Sequence, residues 1–213
     1  QAFCDQNPEA HNFKTLFFQN HSETGTTCHF QDFKYVQSLA RDPDLDSLFP
    51  VQSQNNLIPL SSLVLVLTKD NKLVLGTKTN MGDLISGFSG FCSTEHLRER
   101  EIDVTGYIQQ TVSDELPVTQ RTIQELERLG MVYTPTITRK PNYRIINNIF
   151  LLKTSQTFRN LQQKHNKNDQ FKADLIPLDN HPGDIQTFIQ NKETDVSNHL
   201  IGALLAHLKH NYN

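Results

Sequence analysis

The chain has 213 residues, 36% hydrophobic and 20% charged, with a formal net charge of −3. At roughly 100–200 residues per domain, that is one domain and a surplus, and the mild acidity excludes a protein that holds nucleic acid by bulk positive charge. Its polar surface is rich in amides, 18 Asn and 17 Gln dispersed along the chain, so neither a highly charged disordered segment nor a prion-like tract is expected.

Phe13 to Phe18 reads as a strand or a short helix, and His29–Phe33 with Tyr35-Val36 as a further extended piece. Asp42-Pro43-Asp44 breaks the chain and Gln52–Asn56 is a polar linker. Ser62 to Thr68 is expected to be a buried strand, Asp70-Asn71 a tight turn, and Lys72 to Thr77 the returning strand. Gly82, Gly87 and Gly90 punctuate a loop-rich segment, and a charged stretch runs from Glu95 to Asp103. Val104 to Leu116 carries Ile108, Val112 and Leu116 at helical spacing and stops at Pro117. Thr122 to Leu129 is expected to be a second short helix capped by Gly130.

Met131–Thr138 and Tyr143–Leu152 read as strands joined through Lys140-Pro141-Asn142, Thr154–Asp169 as a polar loop, and Phe171–Leu178 as a strand. Helices at Ile185–Gln190 and Val196–His210 close the chain, the last with Leu200, Leu204 and Leu208 on one face. This order predicts an α/β (α+β) protein: a mixed β-sheet sandwiched between helices over residues 58–213, with residues 1–57 as an N-terminal extension.

The cysteines, Cys4, Cys28 and Cys92, are too few and too scattered for a disulfide scaffold or a Cys-based zinc site, and idle thiols are expected. No apolar run matches a bilayer span, and Gln1-Ala2-Phe3-Cys4 lacks the basic and apolar regions of a signal peptide. A cytoplasmic protein without membrane or nucleic-acid partners is expected.

The chemistry-bearing segment is Gly87 to Gly130. Thr111, Asp114 and Glu115 share one arc of the first helix, beside its apolar stripe. Two carboxylates at a helix end next to a glycine-rich loop can hold a hard cation, because Mg²⁺ takes one or two carboxylates and fills its octahedron with water and phosphate oxygens. His199, His207 and His210 on the last helix have no carboxylate or thiol neighbour in sequence and are expected to be exposed surface residues. Ser89 lies between Gly87 and Gly90 at the wrong offsets for a nucleophile elbow. Lys153, Arg159, Lys164, Lys167 and Lys172 read as a solvated basic stretch.

Leu63 to Lys78, the Gly87–Phe91 loop and the helix ending Ser113-Asp114-Glu115-Leu116-Pro117-Val118 together resemble a divergent Nudix domain. That family's box is Gly, a spacer, Glu, a longer spacer, then Arg-Glu-apolar-any-Glu-Glu-any-Gly-apolar. Aligning its end puts Gln110 at Arg, Thr111 at the first Glu, Asp114 and Glu115 at the acidic pair, Pro117 at Gly and Val118 at the last apolar position. The departures are Thr111, which cannot be an anionic ligand or base, uncharged Gln110, and a spacing of 20 positions from Gly90 to Gln110, longer than the box allows. Glu95, Glu99 and Glu101 in that insert are candidate replacement ligands. A second alignment uses Gln124 to Met131, keeping the first Glu as Glu125, one paired acid as Glu127 and the Gly as Gly130.

The resemblance implies hydrolysis of a nucleoside diphosphate linked to another moiety, assisted by Mg²⁺ or Mn²⁺ and weakened or narrowed by the degraded box. Asp114, Glu115 and Glu125 would be catalytic, Asp114, Glu115, Glu125 and Glu127 the metal carboxylates, and Gly87, Gly90 and Phe91 the nucleotide pocket. The alternative is a catalytically silent nucleotide-binding or protein-interaction module. In either case residues 1–57 are a candidate dimer or partner surface.

Overall fold

A computed structural model describes residues 14–22, 25–32, 58–78, 84–98, 101–134, 145–168, 174–191 and 195–212. The chain divides into two compact units, one comprising Gln1–Ser61, Phe91–Asp103 and Tyr133–Ile146, the other the remainder.

In the first unit, β1 (Lys14–Ser22) and β2 (Gly25–Asp32) form an antiparallel hairpin, with a register shift between Phe18 and Asn20. The Leu16 amide donates to the Cys92 carbonyl at 3.2 Å. Burial pushes the Cys92 thiol up to about 12, with Cys28 and Glu95 adding to the effect, so the thiol stays protonated and inert as the sequence suggests. A 3-10 turn at Thr94–His96 leads into the two-residue strands β7 (Leu97–Arg98) and β8 (Glu101–Ile102).

The larger sheet contains β3 (Leu60–Leu67), β4 (Lys72–Lys78), β5 (Leu84–Ser86), β6 (Phe88–Phe91), β9 (Ile123–Thr134), β10 (Ile145–Thr154) and β11 (Leu175–Asp179). Its order is β11-β4-β3-β10-β9, with β5 paired to β4 and β6 to β3. The continuous apolar run of β3 is explained by that central place: seven of its eight residues are buried, and a strand covered on both faces has no reason to alternate. The turn to β4 places Asn71 at φ 60, a left-handed conformation that Asn adopts more readily than most residues.

Among the described residues, four helices accompany the sheet: α1 (Val104–Ser113), α2 (Phe158–His165), α3 (Pro182–Gln190) and α4 (Asn198–Tyr212). Leu63, Leu65, Leu73, Leu75, Ile149 and Leu151 form one core with Ile185 of α3 and Leu200, Ala203 and Leu204 of α4. Leu129 and Val132 of β9 pack on that same cluster although three residues apart. Gly130, at φ 140, lies between them and supplies the conformation that restores the face. Val64, Val66 and Leu152 alternate with the cluster and point to the other face. The buried stripe of α1, Tyr107, Ile108, Thr111 and Val112, is likewise outside the α3/α4 cluster.

The mixed sheet with flanking helices agrees with the sequence reading, but four local expectations are corrected. Thr122–Leu129 is not a helix: after a 3-10 turn at Gln120–Thr122 the chain becomes strand β9. Gln124 to Leu129 are good helix formers, yet pairing with β10 overrides propensity, and an edge position tolerates their charges. The Gly87–Phe91 loop is largely strand β6. The loop expected at Thr154–Asp169 contains α2, whose Thr157 accepts the Asn160 amide as N-cap and which buries Leu161 and His165. Helix α1 ends at Ser113, so Asp114 and Glu115 occupy the turn beyond it. Expectations for Phe13, Phe33 to Asn56, Gly82, Glu99, 135–144 and 171–173 lie outside the described residues.

Candidate functional site

The two glycines of the predicted loop are spacers for packing. A Cβ on Gly87 would lie 3.0 Å from Leu63 Cδ2, so glycine lets this segment approach β3. A Cβ on Gly90 would lie 3.1 Å from Thr111 Oγ1. One turn earlier on α1, the Tyr107 hydroxyl donates to the Gly90 carbonyl. Tyr107 and Thr111, four residues apart, therefore hold one side of α1 against β6. Phe91, which ends β6, is half-buried.

The next turn on that side brings Asp114 and Glu115. Helical bonding continues past Ser113, with the Asp114 amide donating to Gln110 O at 2.9 Å and the Leu116 amide to Val112 O at 2.8 Å. Asp114 is exposed and Glu115 half-buried, while Leu116 and Val118 anchor the turn in the core. Helix α1 has no basic residue in its last turn, and its negative dipole end is followed by two carboxylates. That combination favours a cation.

Thr111 closes the position that the first alignment gives to glutamate. It is 9% exposed, its hydroxyl donates to Tyr107 O at 3.0 Å, and it abuts Gly90. The donor set therefore fits a hard divalent cation as an open site of one or two carboxylates completed by water and ligand oxygens. Among the described residues, no group of three or more His, Cys, Asp or Glu side chains is arranged to hold a metal.

The second alignment meets a different environment. Glu125 and Glu127, two apart on β9, share one face of the strand. Glu125 pairs with Lys153 of β10 at 2.8 Å and Glu127 with His210 of α4 at 2.7 Å. The hydrogen bond from Lys153 to Glu125, ahead of the opposing cost of desolvation, raises the lysine above its ordinary value. Glu125 is ion-paired and Glu127 hydrogen-bonded, both on an edge strand with no helix to act from.

Of the acids in the insert, Glu95 accepts a 2.6 Å bond from the Ser93 hydroxyl, which also lies 3.3 Å from His96 Nδ1. Glu101 is exposed on β8. Of the last-helix histidines, His210 is exposed as expected, while His199 and His207 depart from the surface expectation. His207 is buried, with Nε2 at 2.7 Å from Asn180 Oδ1 and Nδ1 at 3.0 Å from Asn211 Nδ2. His199 Nε2 is 3.0 Å from Ser86 Oγ, tying α4 to β5. Sequence reasoning also missed Tyr107, although its place four residues before Thr111 was a usable signal, and Gln156, which carried none.

Neither a family model nor a curated protein sequence matches the chain. Among solved structures, Tm1382, assigned to the Nudix hydrolases, superposes with a TM-score of 0.51 at 15% identity, covering 96% of this chain and 94% of that one. A Listeria monocytogenes protein with the same assignment matches at TM-score 0.44 and 14% identity, over 71% of this chain and 92% of its own. A hydrolase of ADP compounds matches at TM-score 0.45 and 8% identity, over 94% and 96%. The chain has the Nudix fold, a statement carried by the superposition on Tm1382. At that identity the likeness is one of fold.

Proposed function

We propose that the protein is a Nudix-type phosphohydrolase for a nucleoside diphosphate linked to another moiety, with a weakened metal site. The observation that carries this reading is the packing of Tyr107 and Thr111 on Gly90, which holds α1 against the glycine segment with Asp114 and Glu115 just beyond its end. Bound there, Mg²⁺ or Mn²⁺ would neutralise diphosphate charge. The residues themselves orient the site: Gly90 permits close approach of α1, Tyr107 fixes the β6 backbone, and the α1 terminus adds its negative potential to the two carboxylates. Glu125 and Glu127 stay with their basic partners and bind no metal. Weak activity follows from having two carboxylates where the resemblance calls for three.

A second reading, a silent nucleotide-binding module, is favoured by the enclosed Thr111, which leaves no anionic group at the helix position facing Gly90. The test is Mg²⁺- or Mn²⁺-dependent turnover on a panel of nucleotide sugars, ADP-ribose and dinucleoside polyphosphates. Turnover that disappears in Asp114→Asn/Glu115→Gln supports the hydrolase. Absence of turnover with a nucleotide-induced rise in Tm supports the binding module.

A further inference from the structure

We infer that Gln156 is the positioning residue for the acidic turn at the end of α1, and that its amide sets how well Asp114 and Glu115 hold a divalent cation. This inference rests on the metal-site reading above. Gln156 follows β10 and is 6% exposed. Its Nε2 donates to the carbonyl of Pro117, the residue two beyond Glu115, at 3.1 Å. On its other side, Oε1 accepts from Lys164 Nζ of α2 at 2.7 Å. The two partners leave the amide one orientation, because an ammonium only donates and a carbonyl only accepts. A glutamate of the same length would lose the bond to Pro117, and a methionine both bonds.

The backbone of Gln156 is fixed as well. Its carbonyl accepts from the Lys69 amide at 2.9 Å, and its amide donates to Thr154 Oγ1 at 3.3 Å. Neighbouring Ser155 and Thr154 both donate to Thr122 O, at 2.8 and 3.0 Å. One buried side chain thus connects the end of the central strand pair, α2 and the turn that carries the carboxylates. Leu116 and Val118 anchor that turn apolarly, and Gln156 supplies a directional hold on it.

The test uses the full chain and its Gln156→Glu, Lys164→Met and Asp114→Asn/Glu115→Gln variants. Three quantities are read: Mn²⁺ affinity by electron paramagnetic resonance, amide exchange across 114–118 relative to α4, and Tm. In Gln156→Glu the carboxylate retains Lys164 but loses the donor to Pro117, so exchange in the turn rises and Mn²⁺ affinity falls about fivefold, the scale of one neutral hydrogen bond. Lys164→Met, on an exposed position, frees the amide and lowers affinity by about twofold. It serves as the decisive variant if Gln156→Glu fails to fold.

Wild-type affinity in both Gln156→Glu and Lys164→Met, with binding lost in Asp114→Asn/Glu115→Gln, would overturn the role of Gln156 and leave the metal site standing. Faster exchange with unchanged affinity would reduce the residue to a purely structural one and overturn the proposal too. No Mn²⁺ binding by the wild-type chain would defeat the metal-site reading itself, and the positioning role with it.

Discussion

Gly90 and Thr111 face each other across β6 and α1 so closely that a Cβ at 90 would sit 3.1 Å from Thr111 Oγ1 and 3.3 Å from its Cγ2. Thr111 cannot swing away without giving up its bond to Tyr107 O. Gly90→Ala is therefore expected to cost about 1–3 kcal/mol by overpacking. In the Gly90→Ala/Thr111→Ala double variant the clash disappears, and the two changes become less than additive by about 1 kcal/mol in urea titrations. Strict additivity would mean that the contact is not tight in solution.

A tighter contact joins β9 to the last helix. A Cβ on Gly202 would meet Val132 Cγ1 at 2.6 Å. Helix propensity alone favours Ala over Gly by about 1 kcal/mol. Steric overlap in the packed interface outweighs it, so Gly202→Ala is expected to destabilise by about 1–2 kcal/mol. Val132→Ala in the same chain restores most of that loss, as thermal unfolding would register. A stabilised Gly202→Ala single variant would contradict the close approach.

Glu125→Gln/Glu127→Gln separates the two alignments. Both acids pair with basic groups at partly exposed positions, where such pairs are worth roughly 0–1 kcal/mol each. The double variant is expected to lose at most about 1–2 kcal/mol of stability and to keep any metal-dependent turnover. Loss of turnover with an unchanged Tm would transfer the site to β9.

The pH dependence of stability is expected to carry the signature of His207. Burial lowers its pKa below the ordinary 6.5; His210 and Lys153 lower it further and Glu127 opposes them. Asn180 Nδ2 donates to Asn71 Oδ1, so its Oδ1 faces His207 Nε2–H, and Asn211 Nδ2 donates to Nδ1. The network thus selects the neutral Nε2–H form. The unfolded chain binds the proton more readily, so stability is complete above about pH 6.5 and declines as the pH falls toward the lowered folded value. Burial gives His165 a shift of the same sign. Unfolding titrations between pH 5 and 8 should show the loss, and His207→Gln should reduce it. An equal slope in that variant would assign the effect elsewhere.

The burial of β3 and the apolar stripe of α1 were legible because each is a local pattern in the sequence. The acidic pair was legible only as part of that helix, since Pro117 suggested an end at Leu116, whereas the helix stops at Ser113. Strand β9 was not, because Gln124 to Leu129 have helix propensities and only pairing with β10 gives that backbone its ladder. Helix α2 was hidden by a face with one leucine and several amides, and His207 by a helix position that does not reveal what packs on it.

Composition and periodicity alone determined a mixed sheet with helices and a buried apolar strand, and the resemblance put Thr111 where its box calls for glutamate. Tertiary structure decided what surrounds each acid. Glu125 and Glu127 meet Lys153 and His210, from β10 and α4, whereas Asp114 and Glu115 continue the side of α1 that packs on Gly90. Charge and spacing are local properties of a sequence; the partner that neutralises a charge comes from a distant segment, and only folding brings it there.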